Sequence, residues 1–279
     1  MADPTVRKRR LGSELRRLRE AAGMKLEDVA ARIGLPAAKV SRVETARIGI
    51  KPDDLNALLD LYGVDDADKR DALHSFARNG NVRGWWQTYK DTISPAYADL
   101  ISLEADARSM RSYECTLIPG LLQTAAYARA TLEASGMTST DAQINALVDV
   151  RMARQSVFSR PEPLELWAVI HEAALHPRVK GDPLMMKEQL SKLLDFAKLP
   201  QVSIQVIPLD APPHVGMSGA FAMLGFPETA DLDVVYLENL TSALYVEDLT
   251  EVSRYGMAFE RLRAAALPFG ETADLIERP

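Results

Sequence analysis

Apolar positions in the first eighty or so residues recur with a helical period. Leu11, Leu15, Leu18 and Ala22 fall on one face of an arginine-rich segment, and Gly23 supplies its stop. "LEDVAARIG" repeats the arrangement, with Leu26, Val29, Ala30 and Ile33 inward and Gly34 closing it. Pro36 suits the first turn of a third helix running to Thr45, because its missing N–H would have no partner there. Pro52 opens a fourth in "KPDDLNALLDLYGV", with carboxylates near the positive end of the helix dipole. A segment from Asp68 to about Arg78 completes a five-helix unit.

"NGNVRG", residues 79–84, interrupts the periodicity and reads as a linker, with Trp85 and Trp86 directly after it as docking residues. Three further helices are predicted: from about Pro95 through "SPAYADLISLEADARSMRSYE", from Pro119 and Gly120 onward, and from about Asp141 to Ser159. On the first of these, Glu104, Arg108, Arg111 and Glu114 lie three or four apart and pair along the surface, with Glu104 partly buried. The strand-like runs "LELWAVI", "VSIQVIPL", "GAFAMLGF", "DVVYLEN" and "SALYVE" follow, with a helix at about 183–198 between the first two and a long helix after the last. Helices gathered before strands predict an α+β protein, a five-helix domain at 1–79 and a larger α+β domain at 84–279 with a mainly antiparallel sheet.

Composition narrows the class. The 47% hydrophobic and 26% charged residues describe a globular chain, and a single cysteine, Cys115, cannot form an intramolecular disulfide. "VRKRR" is followed by no apolar run and no 18-residue apolar stretch exists, so the expectation is a cytoplasmic protein without membrane contact. The net charge of −6 conceals an asymmetry: residues 1–51 hold 13 Lys+Arg against 6 Asp+Glu, and the remainder holds 20 against 33. A basic head on an acidic body suits a head that meets phosphate.

The head also has helix-turn-helix spacing. Ala30 is small where two helices cross, Gly34 makes the turn, and Val29, Ile33, Leu35, Val40 and Val43 seat the second helix. On "LRRLREAAGMKLEDVAARIGLPAAKVSRVETAR" the chain resembles the Cro/CI (Xre) class of DNA-binding domains, over roughly residues 8–78. The resemblance implies that the Pro36–Thr45 helix lies in the major groove of double-stranded DNA. Ala37 and Ala38 stand where that class often carries polar base readers and offer only methyl contacts. Lys25 replaces the usual capping Ser or Thr, so that side-chain bond is absent. Direct reading falls to Lys39, Ser41, Arg42 and Thr45, with Arg42 either gripping a guanine or clamping a phosphate. Arg7, Lys8, Arg9, Arg10, Arg16, Arg17, Arg32, Arg47 and Lys51 read as phosphate contacts or a solvated face; Arg16, Arg47 and Lys25 join the candidate DNA-binding set. Glu44 is assigned to the fold, through an ion pair with Arg16 or Arg19.

"WWQTY", "ISLEADARSMRSYE", "LIPGLLQTAAYARA", "RMARQ", "IHEAAL", "VSIQVIPL" and "DVVYLE", in this order, resemble the C-terminal domain of actinobacterial Xre-type regulators related to WhiJ. That likeness implies an antitoxin-like regulator, with a small companion protein encoded nearby. Candidate ligand- or partner-binding residues are Trp85, Trp86, Glu104, Arg108, Arg154 and His214, the last in the long irregular "PLDAPPHVGMSG"; Arg151 and Gln155 join Arg154 in a polar cluster. "HEAALH" is not HExxH, since its histidines are five apart, and no GxSxG, P-loop or GxGxxG occurs. No cofactor, metal or catalytic residue is expected. The sequence therefore points to a homodimeric, sequence-specific transcription regulator whose larger domain senses a small molecule or peptide or binds the companion. The alternative is an antitoxin-like binder that uses DNA for autoregulation.

Overall fold

In a computed structural model, residues 4–79, 84–136, 140–176, 183–226 and 232–278 are described. The chain divides into two compact units: Met1–Gly84 with Gly225–Asp233, and Trp85–Leu224 with Val234–Pro279. Residues 80–83 of the expected linker lie outside the described residues.

Unit 1 contains α1 (Val6–Ala21), α2 (Leu26–Ile33), α3 (Ala37–Glu44), α4 (Pro52–Leu61) and α5 (Ala67–Asn79). All five expected helices are present, and α1 begins earlier than Leu11 because Thr5 caps it by accepting from Lys8 N–H. Leu15, Val29, Val40, Leu55, Leu59 and Leu73 are buried, so each helix directs its apolar stripe to a shared core. Phe76 of α5 packs edge-on to Phe226, with centroids 4.9 Å apart, and both rings belong to this unit.

Unit 2 holds a six-stranded mixed sheet in the order β3-β2-β1-β4-β5-β6. Its strands are β1 (Ser109–Glu114), β2 (Glu165–His171), β3 (Val202–Ile207), β4 (Phe221–Gly225), β5 (Val234–Glu238) and β6 (Ala243–Val246), the last residue of β4 falling in unit 1. β1, β2 and β3 pair in parallel, whereas β4, β5 and β6 pair antiparallel. Around them lie α6 (Pro95–Asp106), α7 (Ala125–Ser135), α8 (Asp141–Arg154), α9 (Pro183–Ala197), α10 (Leu249–Ala265) and α11 (Phe269–Glu277). On one sheet face Tyr113, Val169, Ile207, Met223 and Val235 meet Val252, Phe259 and Leu262 of α10. Residues of opposite parity, such as Leu166, Ala168 and Ile170, are buried as well. Coverage of both faces explains why "LELWAVI" and "VSIQVI" are nearly continuous apolar runs.

The α+β class is as expected, and two local expectations need correction. The helix from Pro95 stops at Asp106, and "SMRSYE" is β1, so Arg108, Arg111 and Glu114 do not share a helix with Glu104. Ala107 is already extended (φ −63°, ψ 137°) and fully buried, which turns the chain into the sheet. The second correction is α11, capped at Pro268 and anchored by buried Thr272 and Ile276.

Candidate nucleic-acid interface

The turn between α2 and α3 is built as its sequence demands. Gly34 takes φ 70°, ψ 14°, the left-handed region that costs a side chain about 1 kcal/mol or more, and its N–H donates to the Ala30 carbonyl at 3.0 Å. Asp28 accepts from the Lys25 N–H at 2.9 Å; the Lys25 side chain has no acceptor, so the other half of a capping box cannot exist. Val40 and Val43 point inward, 1% and 4% exposed.

The opposite face of α3 carries the candidate readers. Ala38, Arg42 and Thr45, at i, i+4 and i+7, are exposed along one line, with Ala37 and Ser41 half-buried beside it. Arg42 donates from Nε to the Ala38 carbonyl at 3.3 Å, and no carboxylate pairs with it among the described residues. Lys39 departs from its expected role as a reader. Its Nζ sits 2.6 Å from Asp54 Oδ2, tying α3 to α4, with the two side chains 29% and 20% exposed. Thr45 donates its hydroxyl to the Ser41 carbonyl at 2.8 Å, which leaves only acceptor capacity facing outward.

Cations around this face divide into two groups. Arg16, Lys25, Arg32, Arg47 and Lys51 are exposed, and Arg16 pairs with Glu20 at 2.8 Å in solvent, an exchangeable contact. Arg17 holds Glu14 with two bonds of 2.8 Å. Arg7 and Arg10, expected among the phosphate-facing or solvated arginines, are instead 3% and 4% exposed, with the Arg7 guanidinium 5.7 Å from the Phe76 ring centre. They belong to the core of the unit because Val6 and Leu11 on the same helix draw that face inward.

What holds α3 in place was only partly legible. Glu44 pairs with Arg19, as one of two named candidates, through bonds of 2.7 and 2.9 Å, and Arg19 also donates to the Met24 carbonyl at 2.8 Å. Gly12 carries no such expectation, yet a Cβ there would lie 2.6 Å from the Glu44 carbonyl oxygen and 2.7 Å from that of Val43. A glycine inside a strongly helical segment was the available signal, since it costs about 1 kcal/mol against alanine unless close approach requires it.

In unit 2 three of the six candidate binding residues, Trp86, Glu104 and Arg154, are buried. Arg154 grips Glu104 from Nε and Nη2 at 2.8 and 2.5 Å and donates to the Tyr97 hydroxyl at 2.8 Å, with Arg154 and Glu104 6% and 0% exposed. Burial works against the Arg154 charge, and Glu104 with Tyr97 more than offsets it, so the guanidinium stays protonated. Trp86 is buried with Ile93, Ile101 and Val150, while Trp85 is half-exposed and packs edge-on to it. Arg151 donates to Gln123 Oε1 at 2.9 Å, and Gln155 donates to the Gln123 carbonyl at 2.7 Å. Arg108 forms an exposed pair with Glu165 at 3.0 Å. His214 accepts the Gly216 N–H at Nδ1, 3.1 Å away, and packs edge-on to Tyr113; burial, then His171, lowers its pKa, which suits that acceptor role. The "HEAALH" segment ends β2 and enters a 3-10 turn rather than an α-helix. Among the described residues no group of three or more His, Cys, Asp or Glu could hold a metal ion, and no helix is long and apolar enough to cross a membrane.

One titratable group in this unit gives a pH dependence. Burial, then the Glu238 carboxylate, push the Glu114 carboxyl up to about 8, against a smaller pull from Arg151. Its folded pKa therefore exceeds the unfolded value, and the folded state loses stability as pH rises between about 4.5 and 8. Glu114→Gln is expected to match the parent's unfolding free energy near pH 4.5 and to exceed it at pH 8 by on the order of 1–2 kcal/mol given partial access of water. Parallel melting curves over that range check this; identical pH profiles would refute it.

A family model described as Helix-turn-helix domain matches residues 10–73, so unit 1 carries a DNA-binding type of fold. Neither a curated protein nor a solved structure matches the chain. The second match covers residues 97–278, well over half of the 279. The chain belongs to the family described as Domain of unknown function (DUF5753), with a helix-turn-helix domain ahead of that region.

Proposed function

We propose that the protein is a sequence-specific transcription regulator of Cro/CI (Xre) type that binds double-stranded DNA as a homodimer through α3. The observation that carries this reading is the outward line Ala38, Arg42, Thr45, in which Arg42 alone presents a cationic fork. Its guanidinium reaches guanine O6 and N7, while the alanine methyls suit a neighbouring thymine methyl. Arg16, Lys25, Arg32 and Arg47 supply phosphate contacts. A reader this sparse needs two copies on symmetric half-sites about 34 Å apart. The larger unit binds a partner protein or effector and performs no reaction; its likeness to WhiJ-related, antitoxin-like actinobacterial regulators supports a small companion protein as that partner.

Sites selected from random DNA test the reading. Arg42→Ala is expected to weaken binding to the selected site by about 1–3 kcal/mol while changing mixed-sequence binding far less. Equal loss on both kinds of DNA would make Arg42 a phosphate clamp and refute base reading.

A further inference from the structure

The two edges of the unit 2 sheet, β3 and β6, are closed to different degrees. At the β3 edge Val202, Ile204 and Val206 are buried, and Leu199, Leu267 and Thr272 hold bonds to the main chain of Val202 and Val206. The β6 edge is open. Ser242 and Leu244 are exposed, Leu244 by 55%, and Ala243 and Tyr245 are half-buried.

The hairpin to β5 fixes which main-chain groups of β6 point outward. The Asn239 N–H donates to the Ser242 carbonyl at 2.8 Å, so Asn239 and Ser242 form a hydrogen-bonded pair. Bonded and non-bonded pairs alternate along an antiparallel ladder, which makes Leu237–Leu244 and Val235–Val246 bonded, and Glu238–Ala243 and Tyr236–Tyr245 non-bonded. The Tyr236 and Tyr245 rings lie 5.2 Å apart between centroids, the close side-chain approach of a non-bonded pair. The N–H and C=O groups of Ala243 and Tyr245 therefore face away from β5, and they have no hydrogen-bond partner among the described residues. "TSALYV" contains neither proline nor charge, the usual guards of a free edge.

Resting on the homodimer of the proposed function, we propose that β6 pairs antiparallel with β6 of a second copy, about a twofold axis at Leu244. An antiparallel strand edge is self-complementary under such an axis. This register sets Ala243 against Tyr245 of the second copy, so every outward N–H and C=O group of the two residues gains a partner. Leu244 meets its own counterpart in a non-bonded pair, the kind whose side chains lie closer, and is withdrawn from water. The chain stays extended at Asp248 (φ −71°, ψ 127°), so Leu240, 75% exposed, comes alongside the Asp248–Leu249 step of the second copy, where Leu249 is also exposed. Residues 52–279 hold 33 Asp+Glu against 20 Lys+Arg, yet no carboxylate opposes another here, since Glu247 meets Thr241 and Asp248 meets Leu240. The covered β3 edge offers β6 no alternative strand, and association closes at two copies.

Sedimentation of the full-length protein, free and on its selected DNA site, tests this together with amide exchange. The parent should be a dimer in which exchange at Ala243 and Tyr245 slows about tenfold or more as concentration rises through the dimerisation midpoint. Leu244 and Val246, already bonded to β5, should not change. Leu244→Lys sets like charges face to face and should weaken the dimer about tenfold or more, as should Leu244→Glu. Mixing these two variants should restore a dimer, which misfolded chains would not do. A dimer left intact by Leu244→Lys, unchanged exchange at Ala243 and Tyr245, or no restoration on mixing would overturn the proposal. The first of these results leaves a homodimer on another surface, whereas a parent that is monomeric both free and on DNA overturns the homodimer reading as well.

Discussion

Arg154→Ala is expected to lower the stability of unit 2 by about 3–5 kcal/mol, read as a fall in urea midpoint at constant slope. The magnitude comes from what remains after the substitution. Glu104 is 0% exposed and loses its two bonds to the guanidinium, at 2.8 and 2.5 Å. A buried carboxylate with its counterion removed must stay ionised without compensation or take up a proton, and either outcome draws on folding energy. The same reasoning separates this pair from Arg108–Glu165, whose side chains are 48% and 56% exposed. Arg108→Ala is expected to change stability by no more than about 0.5 kcal/mol, because water already competes for both charges. Replacing both buried partners, as Glu104→Leu with Arg154→Met, should recover much of the loss, since an apolar pair of similar volume avoids desolvating two ions. A loss under about 1 kcal/mol for Arg154→Ala would mean that water reaches Glu104.

That contrast also shows where sequence reasoning stops. The apolar residues around Glu104 indicated partial burial, and it is buried completely. Its partner was not legible, since Arg154 lies fifty positions away and only the packing of α8 against α6 brings them together. Periodicity and caps are local, so all five helices of unit 1 and five of the six strands could be read from neighbouring residues. β1 escaped because Arg108, Arg111 and Glu114 continue a helical charge spacing, and the buried turn at Ala107 that ends α6 carries no glycine or proline. At the DNA face, Arg42 was legible as an outward cation. Lys39 was not legible as a tie, because Asp54 reaches it from a different helix.

Arg19→Ala is expected to lower the stability of unit 1 by about 3–5 kcal/mol and to abolish sequence-specific DNA binding at temperatures where the parent is folded. Arg19 and Glu44 have side chains only 10% and 5% exposed, joined at 2.7 and 2.9 Å, and they fasten the last turn of α3 to α1. Removing the guanidinium strands the Glu44 carboxylate and also frees the Met24 carbonyl after α1. Because Glu44 is two residues from Arg42, a loosened last turn misplaces the one cationic side chain of the proposed reading line. Gly12→Ala reaches the same joint without touching any charge. Its added methyl would lie 2.6 and 2.7 Å from two carbonyl oxygens of α3, and such overpacking costs about 1–3 kcal/mol, offset by about 1 kcal/mol of helix propensity. The two substitutions therefore separate stability from positioning. Gly12→Ala should keep most of the fold and most non-specific, salt-sensitive affinity, yet lose discrimination for the selected site. If instead it binds that site as the parent does, the close approach of α1 to α3 is not what aims the recognition helix, and the loss in Arg19→Ala reflects unfolding alone.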